Sequence, residues 1–263
     1  MLYGLTEPMS SEDPLEARLK REAQFHDRKY GGDDLYPRHY AARPTQYIYR
    51  QLRDSLGDLR GKRVLEYGCG EGWITRDLAR LGGNVCAFDI SPQAAENTRR
   101  ALSDSKLLDR CSIDVMPAER LAYPEATFDV AVGFAIIHHL DLVQALDELY
   151  RVLKPGGIAW FAEPLATNPL IWIYRKLTPQ FRTADEQPLK LKQLPSLLAK
   201  FGSFEHREFY LTALGAIALI YLPGGIRLFP ALSFGLHRVD DRLLRAIPAL
   251  GSWAWYTLLK IVK

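Results

Sequence analysis

The chain runs to 263 residues with 48% hydrophobic and 25% charged side chains, the proportions of an ordinary globular protein large enough to bury one substantial core, which excludes a disordered, collagenous or coiled-coil chain. Its 34 Lys and Arg against 31 Asp and Glu leave a formal charge of +3, too thin a surplus for nucleic acid to be the expected partner. Three cysteines, Cys69, Cys86 and Cys111, without metal-ligand spacing argue against a disulfide framework or a zinc site, so no metal is expected and a reducing, cytoplasmic setting is.

From the N-terminus, Met1 to Asp13 carries acids and a proline where a secretory signal would carry a basic patch and an apolar run. Asp13-Pro14-Leu15-Glu16 then predicts a helix start: an N-cap aspartate, a proline at the first helical position and a glutamate three residues after the cap. Leu15, Leu19 and Ala23 share one face of that helix. An aromatic-rich stretch follows, from Phe25 through Tyr30, Tyr36, Tyr40 and Tyr47 to Tyr49, broken at Gly31-Gly32. Residues 1–60 are therefore expected to form a helical extension that caps the core and covers a ligand.

Residues 61–163 alternate short apolar runs with helical periodicity, the pattern of stacked βαβ units and a parallel sheet. The predicted strands begin at Arg63, Val85, Cys111, Phe128 and Ile158. Ser91-Pro92 opens one intervening helix, and Leu142, Leu146, Leu149 and Leu153 stripe another that Pro155 stops. Beyond residue 163 an irregular, proline-interrupted insertion over 165–187 is expected, then a helix from about Leu189 to Lys200 and an alternating strand from Phe204 to Tyr210. Residues 211–250 read as an apolar, irregular insertion, and Trp253 to Ile261 as a last strand or a helix. The longest apolar run, Leu211 to Leu222, is too short to span a bilayer.

The sharpest local signal is Glu66-Tyr67-Gly68-Cys69-Gly70-Glu71-Gly72, placed between the first strand and a helix over Trp73 to Leu81. Alternate glycines let the backbone turn tightly and approach a ligand, and the free N–H groups of the next helix favour electron-rich atoms. A dinucleotide fingerprint would need a third glycine where Trp73 stands, and a phosphate loop would need Gly-Lys-Ser/Thr. Asp89 follows about twenty residues later at the tip of the second strand, the place from which an acid takes the hydroxyls of a ribose. Its other reading is a turn aspartate ahead of the Ser91-Pro92 helix.

Together, Val64-Leu65-Glu66-Tyr67-Gly68-Cys69-Gly70-Glu71-Gly72, Phe88-Asp89-Ile90-Ser91, Phe128-Asp129-Val130, Ile137-His138-His139-Leu140 and Arg151-Val152-Leu153-Lys154-Pro155-Gly156-Gly157 resemble, in order, the motifs of the class I S-adenosylmethionine-dependent methyltransferases. The resemblance covers roughly residues 60–163. It implies an α/β fold, doubly wound around a mostly parallel seven-stranded sheet, with residues 61–263 as the methyltransferase domain and S-adenosylmethionine as the cofactor. Carried over, Glu66 with the backbone of Gly68 and Gly70 holds the methionine part, Asp89 takes the ribose, Ile90 packs on the adenine, and Gly133 closes the set at the fourth strand. Pro117 stands where the family commonly places an aspartate on the adenine amino group, which leaves the Ala118 N–H and Glu119 to meet the ring.

A sulfonium methyl is already activated, so aligning the attacking atom is the main task and a base adds about 10²–10⁴-fold where the acceptor is a hydroxyl or an activated carbon. His138 and His139, just after the fourth strand, are the base candidates, the alternative being a histidine that packs on the turn with Asp141. Glu163 is a further candidate, with a turn cap at Ala166 to Asn168 as its other reading. The acceptor is expected to be a small apolar or amphipathic molecule, such as a lipid, quinone, polyketide or sugar conjugate, met by Trp172, Tyr174 and Arg175 or by a lid whose aromatics are simply its core. Leu211 to Phe234 leaves two readings, a weak membrane-surface contact or a buried helix. The rival functions are a cofactor-binding sensor or cyclase without methyl transfer, and methylation of protein or RNA. The latter lacks an Asp/Asn-Pro-Pro-Tyr/Phe run, the position reading Gly133-Phe134-Ala135-Ile136.

Overall fold

The computed structural model describes residues 13–33 and 46–263. Tyr36 and Tyr40 of the expected aromatic stretch lie outside them. The N-terminal helix α1 (Pro14–Gly31) starts as its sequence dictates: the Asp13 carboxylate accepts from the Leu15 N–H at 3.1 Å, Pro14 costs no helical hydrogen bond, and Gly32, at φ 115°, ends it. Helix α2 (Gln46–Leu56) leads into the sheet.

Seven strands lie in the order β3-β2-β1-β4-β5-β7-β6. They are β1 (Arg63–Tyr67), β2 (Asn84–Asp89), β3 (Cys111–Val115), β4 (Phe128–Phe134), β5 (Leu153–Pro164), β6 (Ser203–Phe209) and β7 (Tyr256–Val262). The first five pair in parallel, and β7 alone runs antiparallel, between β5 and β6. Helices α3 (Trp73–Arg80), α4 (Pro92–Asp104) and α5 (Leu142–Val152) are the crossovers. Because side chains alternate across a strand, Val64, Val85, Val132 and Leu258 face one helical layer while Leu65, Phe88, Phe161 and Leu259 face the other. Strand order reverses between β1 and β4, and such a reversal opens a crevice at the carboxyl ends of the strands.

Several local expectations need correction. Strand β5 begins at Leu153, opposite Phe128, and regains register at Val130 with Ile158, so Lys154 to Gly157 bulges within the strand. The insertion after β5 is not irregular throughout, since the Asn168 side chain accepts from the N–H groups of Leu170 and Ile171 and caps α6 (Pro169–Leu177). The helix expected from Leu189 to Lys200 shrinks to a 3-10 turn (Leu191–Gln193) and the single turn α7 (Leu194–Leu197), because Pro195 cannot continue a helix already under way. Residues 211–250 are ordered as a 3-10 segment (Ala213–Tyr221) and α8 (Gly225–Ala246), the longest helix described. The buried Asp240 carboxylate on α8 accepts from the N–H groups of Leu211, Thr212 and Ala213, which ties the two together. The last segment, open between strand and helix in the sequence, is the strand β7.

Candidate active site

The loop after β1 takes its shape from glycine. Gly68 and Gly70 stand at φ 69° and 53°, and added Cβ atoms would meet Ile136 at 2.8 Å and the Tyr30 hydroxyl at 2.9 Å. The Gly70 N–H donates to Asp89 Oδ2 and the Ser91 N–H to Oδ1, each at 3.0 Å, so Asp89 is fixed by backbone on both oxygens and its remaining lone pairs face the cleft. Ser91 is the true N-cap of α4, accepting from the Ala94 N–H at 3.0 Å. Burial raises the Asp89 carboxyl above its ordinary value, opposed first by His26.

Glu66 lies at the floor, and neither of its buried oxygens makes a hydrogen bond of normal geometry. Burial pushes its carboxyl up to about 8, with Asp89 adding to the rise and Thr75 opposing it. Ile90 and Ala118 line the cleft wall, as does Glu119, which receives the Asp141 N–H at 2.8 Å on one oxygen and leaves the other unpartnered. Gly133 sits one step behind: a Cβ there would strike the Phe161 ring at 2.6 Å, and the next residues, Phe134 to Ile136, form the wall.

The catalytic candidates separate. Glu163 is fully buried; its Oε1 accepts from the Ile136 and Ile137 N–H groups at 2.9 and 3.0 Å, and its Oε2 meets His138 Nδ1 at 2.7 Å. This carboxylate therefore clamps the turn after β4 rather than the Ala166 to Asn168 turn, and it holds His138 to itself. His139 lines the cleft instead, with Nδ1 at 3.1 Å from Glu22 and Nε2 at 3.7 Å from Glu186. Burial holds His139 well below the ordinary imidazole value, the neighbouring His138 adding to the effect.

One face of α1 forms the roof, with Leu19, Glu22, His26, Lys29 and Tyr30 lining the cleft. Sequence reasoning expected the helix as a cover but singled out none of Glu22, His26 and Lys29 as cleft residues. The i, i+4, i+7 spacing of Glu22, His26 and Lys29 was the available signal. Burial alone would raise Glu22, yet the hydrogen bonds from His139, His26 and Thr183 together hold it well below the carboxylate range.

The residues present fit S-adenosylmethionine. Orphaned carboxylate oxygens at Glu66 and Glu119 suit a ligand carrying positive charge and donor groups, and the glycine cradle beside Asp89 suits a nucleoside.

Residues 65–161 match the family described as Methyltransferase domain. The chain is 31% identical over 166 residues to the ubiquinone/menaquinone biosynthesis C-methyltransferase UbiE of Hydrogenovibrio crunogenus, covering 61% of this chain and 65% of that one. It is 32% identical over 122 residues to the sterol 4-C-methyltransferase strm-1 of Caenorhabditis elegans, covering 46% and 36%. The match thus spans less than two thirds of the length of either relative. In fold it is similar to the geranyl diphosphate C-methyltransferase of Streptomyces coelicolor A3(2), solved with Mg2+, geranyl diphosphate and S-adenosyl-L-homocysteine, at TM-score 0.63 and 16% identity over 95% of this chain and 99% of that one. Glycine loop, strand-tip acid, strand order and family match agree, and residues 65–161 form a methyltransferase domain of the class I S-adenosylmethionine-dependent kind.

Proposed function

We propose that the chain transfers a methyl group from S-adenosylmethionine to a small apolar or amphipathic molecule of the lipid, quinone, polyketide or sugar-conjugate kind. The observation that carries this is the make-up of the cleft. Gly68, Asp89 and Glu119 line it together with the apolar side chains of Leu19, Phe134, Ile136 and Leu140, under a polar roof of Glu22, His26, Lys29 and Tyr30 with His139 beside it. When bound, the cofactor supplies an electrophilic methyl on a sulfonium. The chain's own part is to hold the nucleoside at Asp89 and the methionine end at Glu66, to exclude water with α1, and to align the acceptor. Where the acceptor atom gives up a proton, the neutral imidazole of His139 is the cleft group able to take it. The quinone and sterol names of the relatives, and the isoprenoid diphosphate in the similar structure, support an acceptor with an apolar body.

Cytoplasmic placement and a weak contact with a membrane surface belong to the same proposal. The three free cysteines support the first, and the exposed Leu170, Trp172, Leu228 and Phe234 support the second. No helix among the described residues is long and apolar enough to cross a membrane.

The test is incubation with S-adenosylmethionine and an extract of lipids, quinones and polar metabolites, read as S-adenosylhomocysteine formed and a mass gain of one methyl group. Both signals together are expected. Cofactor binding without either signal across the extract favours the sensor or cyclase reading and removes the transferase one.

A further inference from the structure

Glu22 and His26 are one turn apart on α1, so their side chains leave the helix on one face, and His139 reaches them from the 3-10 turn after β4. The Glu22 Oε2 atom lies 3.1 Å from His139 Nδ1 and 3.4 Å from His26 Nε2, and the three ligand atoms lie within 4.8 Å of one another. Ligands about 2.0–2.1 Å from a shared ion stand about 2.9–3.4 Å apart in octahedral or tetrahedral geometry, so two edges of such a polyhedron are already in place. We propose that Glu22, His26 and His139 form a three-ligand site for a divalent transition-metal cation in the roof of the cleft. Two imidazoles and one carboxylate select Zn2+, Fe2+, Co2+ or Ni2+ over the all-oxygen preference of Mg2+ and Ca2+.

Outer contacts support the assignment. Thr183 Oγ1 donates to the second oxygen of Glu22, and His139 Nε2 faces Glu186 Oε1 at 3.7 Å. Glu186 is anchored in turn by Arg175 at 2.8 Å. A ligating histidine whose other nitrogen meets a carboxylate, and a ligating carboxylate that is itself hydrogen-bonded, are the usual outer arrangement of a metal site. All three ligand residues are buried and line the cleft, so the ion keeps open positions on that side. A metal at His139 Nδ1 leaves the single proton of the neutral ring on Nε2, the nitrogen that faces Glu186. The metal's role, to hold an oxygen of the acceptor, rests on the methyl-transfer reading and takes the place of His139 as the base, since a ligated ring has no lone pair to spare; the site itself stands on the side chains.

Chelator-stripped protein is titrated with Co2+, followed by visible d–d absorption, and with Zn2+ by calorimetry. One equivalent per chain is expected. Glu22→Gln and His26→Ala should each weaken binding at least a hundredfold, and Thr183→Ala about tenfold, within the 10–100-fold range of outer contacts. His206→Ala, exposed on β6 beside Glu208, should change nothing. Unsubstituted protein that shows no Co2+ band and no Zn2+ heat overturns the site without recourse to any variant, and so does binding indifferent to Glu22→Gln. Calorimetry with S-adenosylhomocysteine on the same samples keeps the two readings apart: cofactor heat without metal sinks this site alone, and metal without cofactor heat sinks the methyltransferase reading.

Discussion

Glu66 occupies the most uncomfortable position in the cleft, a carboxyl raised from 4.5 to about 8 by burial with Asp89 close by on β2 and Thr75 on α3. Between those values the folded chain keeps a proton that the unfolded chain has released, so this group's contribution to stability is full below about 4.5 and is lost as pH climbs through about 8. A positively charged ligand beside Glu66 reverses the preference and drives the proton out. S-adenosylmethionine affinity is therefore expected to rise with pH up to about 8, by up to about tenfold per unit, with proton release on binding. Calorimetry in two buffers of different ionisation enthalpy reads that proton. Glu66→Gln should flatten most of the slope, with the remainder from Asp89 and Glu119, whose carboxyls burial also raises; a slope untouched by the substitution would remove Glu66 from the cofactor's contacts. The loop and the position of Asp89 at its strand tip were legible because alternate glycines and a strand-tip aspartate stand out in local spacing, whereas the role of Glu66 entered only through the family resemblance. The Glu163 clamp was not legible, since its partners Ile136, Ile137 and His138 lie 25 to 27 residues away, a separation on which no local pattern acts.

Helix α1 is joined to the rest of the molecule along its length. Asp27 Oδ1 accepts from Ser91 Oγ at 2.5 Å and the Gln93 N–H at 3.2 Å, Arg21 forks onto Asp185 at 2.8 and 2.9 Å, and the Tyr30 carbonyl accepts from Asn97 at 3.0 Å. Beneath it only about 80 Å3 is free, against the several hundred that a cofactor-sized ligand fills. A ligand of that size therefore needs α1 to lift before it can enter or leave. Asp27→Ala removes two charge-assisted hydrogen bonds, worth about 3–6 kcal/mol together, and should speed S-adenosylhomocysteine dissociation by at least tenfold in stopped-flow measurements. A rate equal to that of the unsubstituted chain would show that α1 does not gate the cleft. The start of α1 was readable from Asp13-Pro14, whereas α8 was not: Gly224, Gly225 and Pro230 crowd its opening and mimic a loop. What orders that segment is Asp240, whose bonds to residues 211–213 reach back across the chain.

At the scale of the molecule, many of the exposed large apolar residues lie on α6, on α8 and in the turn that follows α8. On α8, Leu228, Leu232 and Val239 form an exposed stripe beside the buried one of Phe229, Ser233, His237 and Asp240. Leu170, Trp172 and Leu177 are exposed on α6, and Trp253 is exposed in the turn between α8 and β7. Hydrogen bonds from Thr167 to the Ser252 carbonyl and from Asn168 to the Trp253 carbonyl tie the start of α6 to that turn, and the Ile247 N–H bond to Leu243 ties the turn to α8. Both helices also carry cations: Arg175 and Lys176 close α6, and Arg227, Arg238, Arg242 and Arg245 run along α8. Apolar side chains interspersed with arginine suit the headgroup region of an anionic bilayer, where an amphipathic acceptor would be dissolved. The chain should cosediment with vesicles containing phosphatidylserine at low salt and be released as ionic strength rises. Leu228→Asp together with Leu177→Asp should abolish the association while leaving S-adenosylhomocysteine binding unchanged, because neither side chain lines the cleft. Protein that stays in the supernatant at low salt, or a double variant that sediments like the original, would show that this surface meets something other than lipid.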